Sequence, residues 1–126
     1  MPMPIHHSID DDPPYLIRTV FSGDVSDADV TAHHRALAAD PRFESSLAEL
    51  VDLSNVSDFF VTSHGMAQSA HSGLHNPIAR RAFIAPTDAV FGMARMYQSF
   101  YDEYGGAQLA VYRSRSAALA WLQALR

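Results

Sequence analysis

The residues of this chain with the most capacity for chemistry stand together in "VDLSNVSDFFVTSHGM", Val51 to Met66. The stretch passes from an apolar strand through an extended aromatic loop, Asp58-Phe59-Phe60, to Thr62, Ser63, His64 and Gly65, where a helix is expected to begin. A hydroxyl at a helix N-terminus accepts from free backbone N–H groups, and a phosphate there is held by the same donors and the helix dipole. Phosphorylation adds about −1.5 to −2 charges in one step, enough to block or create a docking surface. Thr62, Ser63 and Gly65 are therefore candidates for modification or anion binding. Capping by Thr62 or Ser63, worth ~1 kcal/mol, explains the same residue types by itself.

Ser63, a helix histidine and Asp52 or Asp58 could be drawn as an acyl-transfer triad. No G-x-S-x-G elbow is present, however, and a helix would splay the adjacent Ser63 and His64 apart. Gly65, Gly73 and Gly92 are isolated, so there is no glycine-rich dinucleotide loop. No catalytic residue is assigned and no enzyme is expected. On a helix from Ser63 to Leu74, the side chains of His64, Gln68, His71 and His75 share one narrow stripe. His71 and His75, one turn apart, have the spacing of a Zn²⁺ or Ni²⁺ pair. With no acidic residue in that helix and no cysteine, the stripe reads as a solvated polar face, and no metal or cofactor is expected. His6-His7 and His33-His34 read as surface positions.

These groups must be carried by a domain of modest size. The chain has 126 residues, 48% of them hydrophobic, which suits one core and not two. No apolar run approaches the ~20 residues that span a bilayer. Met1 to Pro4, expected to be flexible, show no secretory signal, and the absence of cysteine suits a cytoplasmic protein. All nine basic residues are arginines, which excludes a lysine Schiff base and a P-loop. Residues 1–60 hold three Arg against eleven Asp or Glu, and residues 61–126 hold six against three. A net charge of −5 without a basic cluster argues against nucleic acid as a partner.

Strand and helix patterns alternate along the chain. Strands are expected at Ile5–Ile9, Tyr15–Phe21, Leu47–Leu53, Arg81–Ala85 and Gln108–Tyr112, the first two joined through the turn Asp10 to Pro14. "SGDVSDADV" turns the chain into a helix capped by Ser26 and reaching about Ala39. Thr87 caps a long helix stopped at Gly105-Gly106, and Ser114 caps a terminal one. In the long helix Val90, Met93, Ala94, Tyr97, Phe100, Tyr101 and Tyr104 form a core stripe, with Phe91 off it. Ala118, Trp121, Leu122 and Leu125 share a face of the last helix, with Trp121 as a core anchor. The pattern implies an α/β layered domain with a mainly parallel sheet of four to five strands, an antiparallel N-terminal edge strand and about four flanking helices.

Two stretches resemble a known family. Ala85-Pro86, "GMARMY" at Gly92–Tyr97, "VYR" at Val111–Arg113 and "AxxWL" at Ala118–Leu122 are similar to the C-terminal half of SpoIIAA-like proteins of the STAS superfamily. The resemblance implies that fold, in small bacterial proteins mostly without an assigned activity, some classed near lipid-carrying folds. In the anti-sigma-factor antagonists of this superfamily a strand ending "DLS" leads to a "DSSG" helix start, whose first serine is phosphorylated by a partner kinase. Asp52-Leu53-Ser54 matches the strand end, and Thr62-Ser63-His64-Gly65 resembles the helix start, with Ser63 at the phosphoserine position. Thr62 stands where the family has aspartate, and His64 where it has a second serine.

The expected function is a non-catalytic STAS-like regulatory module, a homodimer acting on a protein partner through the loop and helix start at Asp58–Met66. Its rival is a carrier of a small apolar molecule or lipid, and a metal-dependent enzyme is the third and least favoured reading. Phe59, Phe60, His64, Phe91 and Met96 are the residues expected to touch a partner or ligand.

Overall fold

The computed structural model describes residues 3–104 and 108–124. The expected stop at Gly105-Gly106, Leu125 and the side chain of Tyr104 lie outside what is described. The elements run β1 (Ile5–Ile9), β2 (Ile17–Ser26), α1 (Asp27–Ala39), β3 (Glu49–Phe60), α2 (Ser63–His71), β4 (Arg80–Ile84), α3 (Asp88–Tyr104), β5 (Gln108–Tyr112) and α4 (Arg115–Gln123). The five strands form one sheet in the order β1-β2-β3-β4-β5. β1 is antiparallel to β2 and every other pair is parallel, as the alternation implied.

The strand order advances by one at each crossover. Crossovers between parallel strands are right-handed, so α1, α2 and α3 must fall on the same face of the sheet. They do, with α2 packed against both α1 and α3. The chain after β5 folds back on the opposite face, where α4 lies on β4 and β5. Period-two alternation divides the strands between these layers. Val51, Leu53 and Phe83 join Val90, Ala94 and Tyr101 beneath α3, while Leu50, Ala82 and Ile84 join Ala118 and Leu122 beneath α4. Trp121 is half-buried at the edge of the second cluster, with the Arg80 guanidinium 4.4 Å from its ring centroid.

The helix starts are where the polar residues place them. Ser26 caps α1 in a reciprocal capping box with Asp29, Thr87 Oγ1 accepts the Val90 N–H, and Ser114 Oγ accepts the Ala117 N–H. The α3 stripe buries Val90, Ala94 and Tyr101, with Met93, Tyr97 and Phe100 half-buried.

Three expectations are corrected. Ser22–Ser26 is not a turn. β2 continues through it, with Gly23 in the left-handed region (φ 68°) where the register with β3 shifts. A strand bulge can use the same glycine that a turn uses. Asp58-Phe59-Phe60 is likewise not a loop, because β3 runs to Phe60 and pairs there with Asp24–Ser26. Two polar-looking segments stay extended because each supplies the other's hydrogen-bonding edge. Finally, α2 ends at His71 and not at Leu74, so His75 leaves the expected histidine stripe.

Candidate functional site

In the parallel register Glu49 on β3 faces Arg81 on β4, and both side chains point under α1–α3. Strand alternation puts Glu49 on the same face as Val51 and Leu53, and Arg81 on the same face as Phe83. The two charges are therefore forced into the core layer, where Glu49 is 1% and Arg81 6% exposed. They satisfy each other and their neighbours. Arg81 Nε donates to Glu49 Oε1 at 2.7 Å and Arg81 Nη1 to the Tyr101 hydroxyl at 2.6 Å. Thr19 Oγ1 on β2 donates to Glu49 Oε2, and His75 Nε2 lies 3.3 Å from Glu49 Oε1. A chain of hydroxyls continues outward, from Tyr101 to Tyr97 at 3.3 Å, to Ser69 on α2, and to His34 Nε2 on α1 at 3.1 Å.

This network forms one side of a partly open pocket between the sheet and α1, α2 and α3, with a cavity of about 50 Å³. The other walls are apolar, with Phe59, Met66, Met93 and Leu74 among them. His33 and His75 also line it, and each has one buried ring nitrogen, Nε2 and Nδ1 respectively, with no hydrogen-bond partner among the described residues.

Burial sets the protonation states. Desolvation by itself would raise Glu49, but Arg81, His75 and the Thr19 hydroxyl outweigh it and hold the carboxyl at about 2. Burial, with Arg81 adding to it, pushes His75 down to about 3 and His34 down to about 4. Burial likewise takes His33 to about 4 despite the opposing pull of Glu49. Near neutral pH the cluster is thus one ion pair and three neutral imidazoles.

The opening of α2 is built differently from the expectation of a free anion site. Thr62 is the N-cap, its Oγ1 accepting the Gly65 N–H at 3.0 Å, and Ser63 is the first helical residue, exposed. A carboxylate already occupies the helix end. Asp27 at the start of α1 accepts the Thr62 N–H at 3.0 Å and the Thr62 hydroxyl at 2.7 Å. Gly65 is required for that approach, since a Cβ there would overlap the Asp27 carboxylate. Gly65→Ala should therefore lower unfolding free energy by about 1–2 kcal/mol, although Gly→Ala inside a helix ordinarily stabilises by ~1 kcal/mol. Urea denaturation of a double-mutant cycle checks this. In an Asp27→Ala background the Gly65→Ala substitution should turn neutral or stabilising, and additivity of the two losses would refute the contact.

The remaining sequence candidates scatter. Phe59 lines the pocket and stacks on Phe21 with centroids 6.2 Å apart, whereas Phe60 is 60% exposed at the strand end. Phe91 is half-buried under the Arg113 guanidinium, and Met96 is exposed on α3; neither lines the pocket. His64 and His71 are exposed, whereas His75 is buried beside Glu49, so the expected histidine stripe is divided between surface and core. Among the described residues no three His, Asp or Glu side chains are grouped to hold a metal ion. Asp52 accepts from Arg115 at 2.6 Å on the α4 face, across the sheet from Ser63, and Asp58 is exposed, so no triad assembles. None of the helices among the described residues is long and apolar enough to cross a membrane.

Glu49 and Arg81 are overlooked in sequence, and the surface reading of His33 and His34 is corrected, since α1 turns them inward and leaves His33 5% exposed and His34 half-buried. A signal existed for the histidines: His33 and His34 lie three and four residues beyond Val30 and before Leu37, on the apolar stripe of α1.

No protein-family model and no curated protein matches the chain. Among solved structures it is similar to an uncharacterized protein from the DUF3478 family, with a SpoIIAA-like fold, from Shewanella loihica PV-4. The two share 17% identity over 94% of this chain and 93% of that one, with a TM-score of 0.62. The fold is SpoIIAA-like. Within a SpoIIAA-like sheet, then, this chain places an ion pair, three histidines and an apolar pocket under one helical layer.

Proposed function

We propose that this chain is a non-catalytic binding module that holds or carries a small, largely apolar molecule in the pocket under α1–α3. The observation that carries this reading is the pocket itself, a partly open cavity with apolar walls and a few convergent polar groups. Its charged residues are committed to each other, and the Ser69 hydroxyl, 3.1 Å from His34 Nε2, is also bonded to the Tyr97 hydroxyl, which supports reading it as a link of the network. A second reading, a regulatory protein contact at Asp58–Met66 with a homodimer as its simplest form, is supported by Phe60, 60% exposed next to exposed Thr62, Ser63 and His64. A phosphate on Ser63 would share the helix end with Asp27, so in that reading modification works by expelling the carboxylate from Thr62.

One experiment separates the two. Native mass spectrometry of protein purified gently from its own host should show a small-molecule adduct that is lost on denaturation. A dimer or bound protein that disappears in Phe60→Ser supports the second reading. A bare monomer without adduct removes both.

A further inference from the structure

Resting on the pocket reading, we propose that the occupant is a small neutral amphiphile whose O–H or N–H donor docks on His75 Nδ1. Its short apolar part then lies against the wall that carries Phe59, Met66 and Met93.

Three observations point there. The first is the tautomer of His75. Glu49 is an acceptor only, so the neutral imidazole faces it with Nε2–H, 3.3 Å from Oε1, and Nδ1 is left as a lone pair. That lone pair is buried, His75 is 5% exposed, and no described residue donates to it. A buried unpaired acceptor is costly, and a ligand that brings a donor removes the cost. His33, a second lining residue whose Nε2 is also buried and unpaired, offers a second polar contact.

The second observation is charge. Among the described residues lining the pocket, Glu49 and Arg81 are the formal charges, and they cancel in a 2.7 Å hydrogen-bonded pair. No counter-charge remains for an ion, and an unpaired ion is strongly disfavoured in such surroundings. The head group is therefore neutral.

The third is size. A water needs ~10–15 Å³ of such a cavity and about 30 Å³ of liquid volume. The cavity of about 50 Å³ thus matches a few waters, or one molecule of about four to six non-hydrogen atoms. Met66 and Met93 in the wall are unbranched and adapt to modest changes of shape.

The test uses four matched probes, 1-butanol, 2-butanone, butyrate and butylammonium, titrated at neutral pH into full-length protein with ¹³C-labelled methionine methyls. 1-Butanol should shift the Met66 and Met93 methyls, leave exposed Met96 unchanged, and bind at least threefold tighter than the donor-free ketone and tenfold tighter than either ion. His75→Leu should make alcohol and ketone equal; if that variant does not fold, the wild-type ranking decides. Equal binding of alcohol and ketone, or an ion binding as well as the alcohol, overturns the head-group assignment and leaves the pocket reading standing. No methyl shift with any probe means that the cavity holds water only, and both fall.

Discussion

Arg81→Met lowers unfolding free energy by about 3–5 kcal/mol, because it strands a buried carboxylate. Glu49 is 1% exposed, and Arg81 supplies its shortest guanidinium contact. Without that partner the carboxyl keeps the Thr19 hydroxyl and a neutral histidine, which do not balance a full charge. The substitution also removes the donor to the Tyr101 hydroxyl. For a domain of this size the loss corresponds to roughly 10–20 °C in Tm. The discriminating comparison is the double variant Glu49→Leu/Arg81→Met. Replacing a buried pair by apolar residues of similar volume is often neutral or stabilising, so the double variant should recover more than half of the loss. Urea denaturation of the cycle measures it. If each single variant loses less than about 1 kcal/mol, the pair is solvated and the buried network is wrong.

Acid destabilises the fold well before carboxylates titrate. His33 and His75 are held at about 4 and about 3 in the folded state, against an ordinary value near 6.5. Below 6.5 the unfolded chain binds protons that the folded chain refuses, so stability is complete above that value and is lost as pH falls toward 3–4. At pH 5 the loss is about 2 kcal/mol for each of these two histidines, from ~1.4 kcal/mol per pH unit. His34, held at about 4, pulls in the same direction, and Glu49 joins it below its ordinary range because its folded value is depressed. Chemical denaturation at half-unit steps from pH 7.5 to 4.5 should give a monotonic fall with a slope of two to three protons near pH 5. A flat profile between pH 7 and 5 would show these imidazoles to be solvated. His33→Phe should lower the slope by about one proton.

The order of the elements, the mainly parallel sheet with its antiparallel edge, three of the helix caps and the buried stripe of α3 are all legible in the residues alone. All of these are local properties. Alternation with period two or 3.6 tells each segment which face is apolar, and a serine or threonine next to a helix start needs no distant partner to act as a cap. Even the opening stretch was legible in part, since a hydroxyl cap at Thr62 or Ser63 was inherent in the residue types. Which of the two it is depended on Asp27, thirty-five residues away, whose carboxylate reaches Thr62 because α1 and α2 start side by side.

The site, by contrast, depends on contacts between distant segments. Glu49 and Arg81 each stand in an apolar strand where one charge would read as an edge or a strand end, and only the β3–β4 register turns two improbable buried charges into one satisfied pair. The same holds for the extension of β2 and β3 to Ser26 and Phe60, which exists because each strand completes the other's hydrogen bonds. His75 follows a similar logic: a helical wheel gave it to solvent, but α2 stopped at His71 and the chain turned it onto Glu49. Periodicity records the face a residue prefers. It does not record which strand will lie beside it, and for buried polar groups that neighbour decides whether the position is tolerable at all.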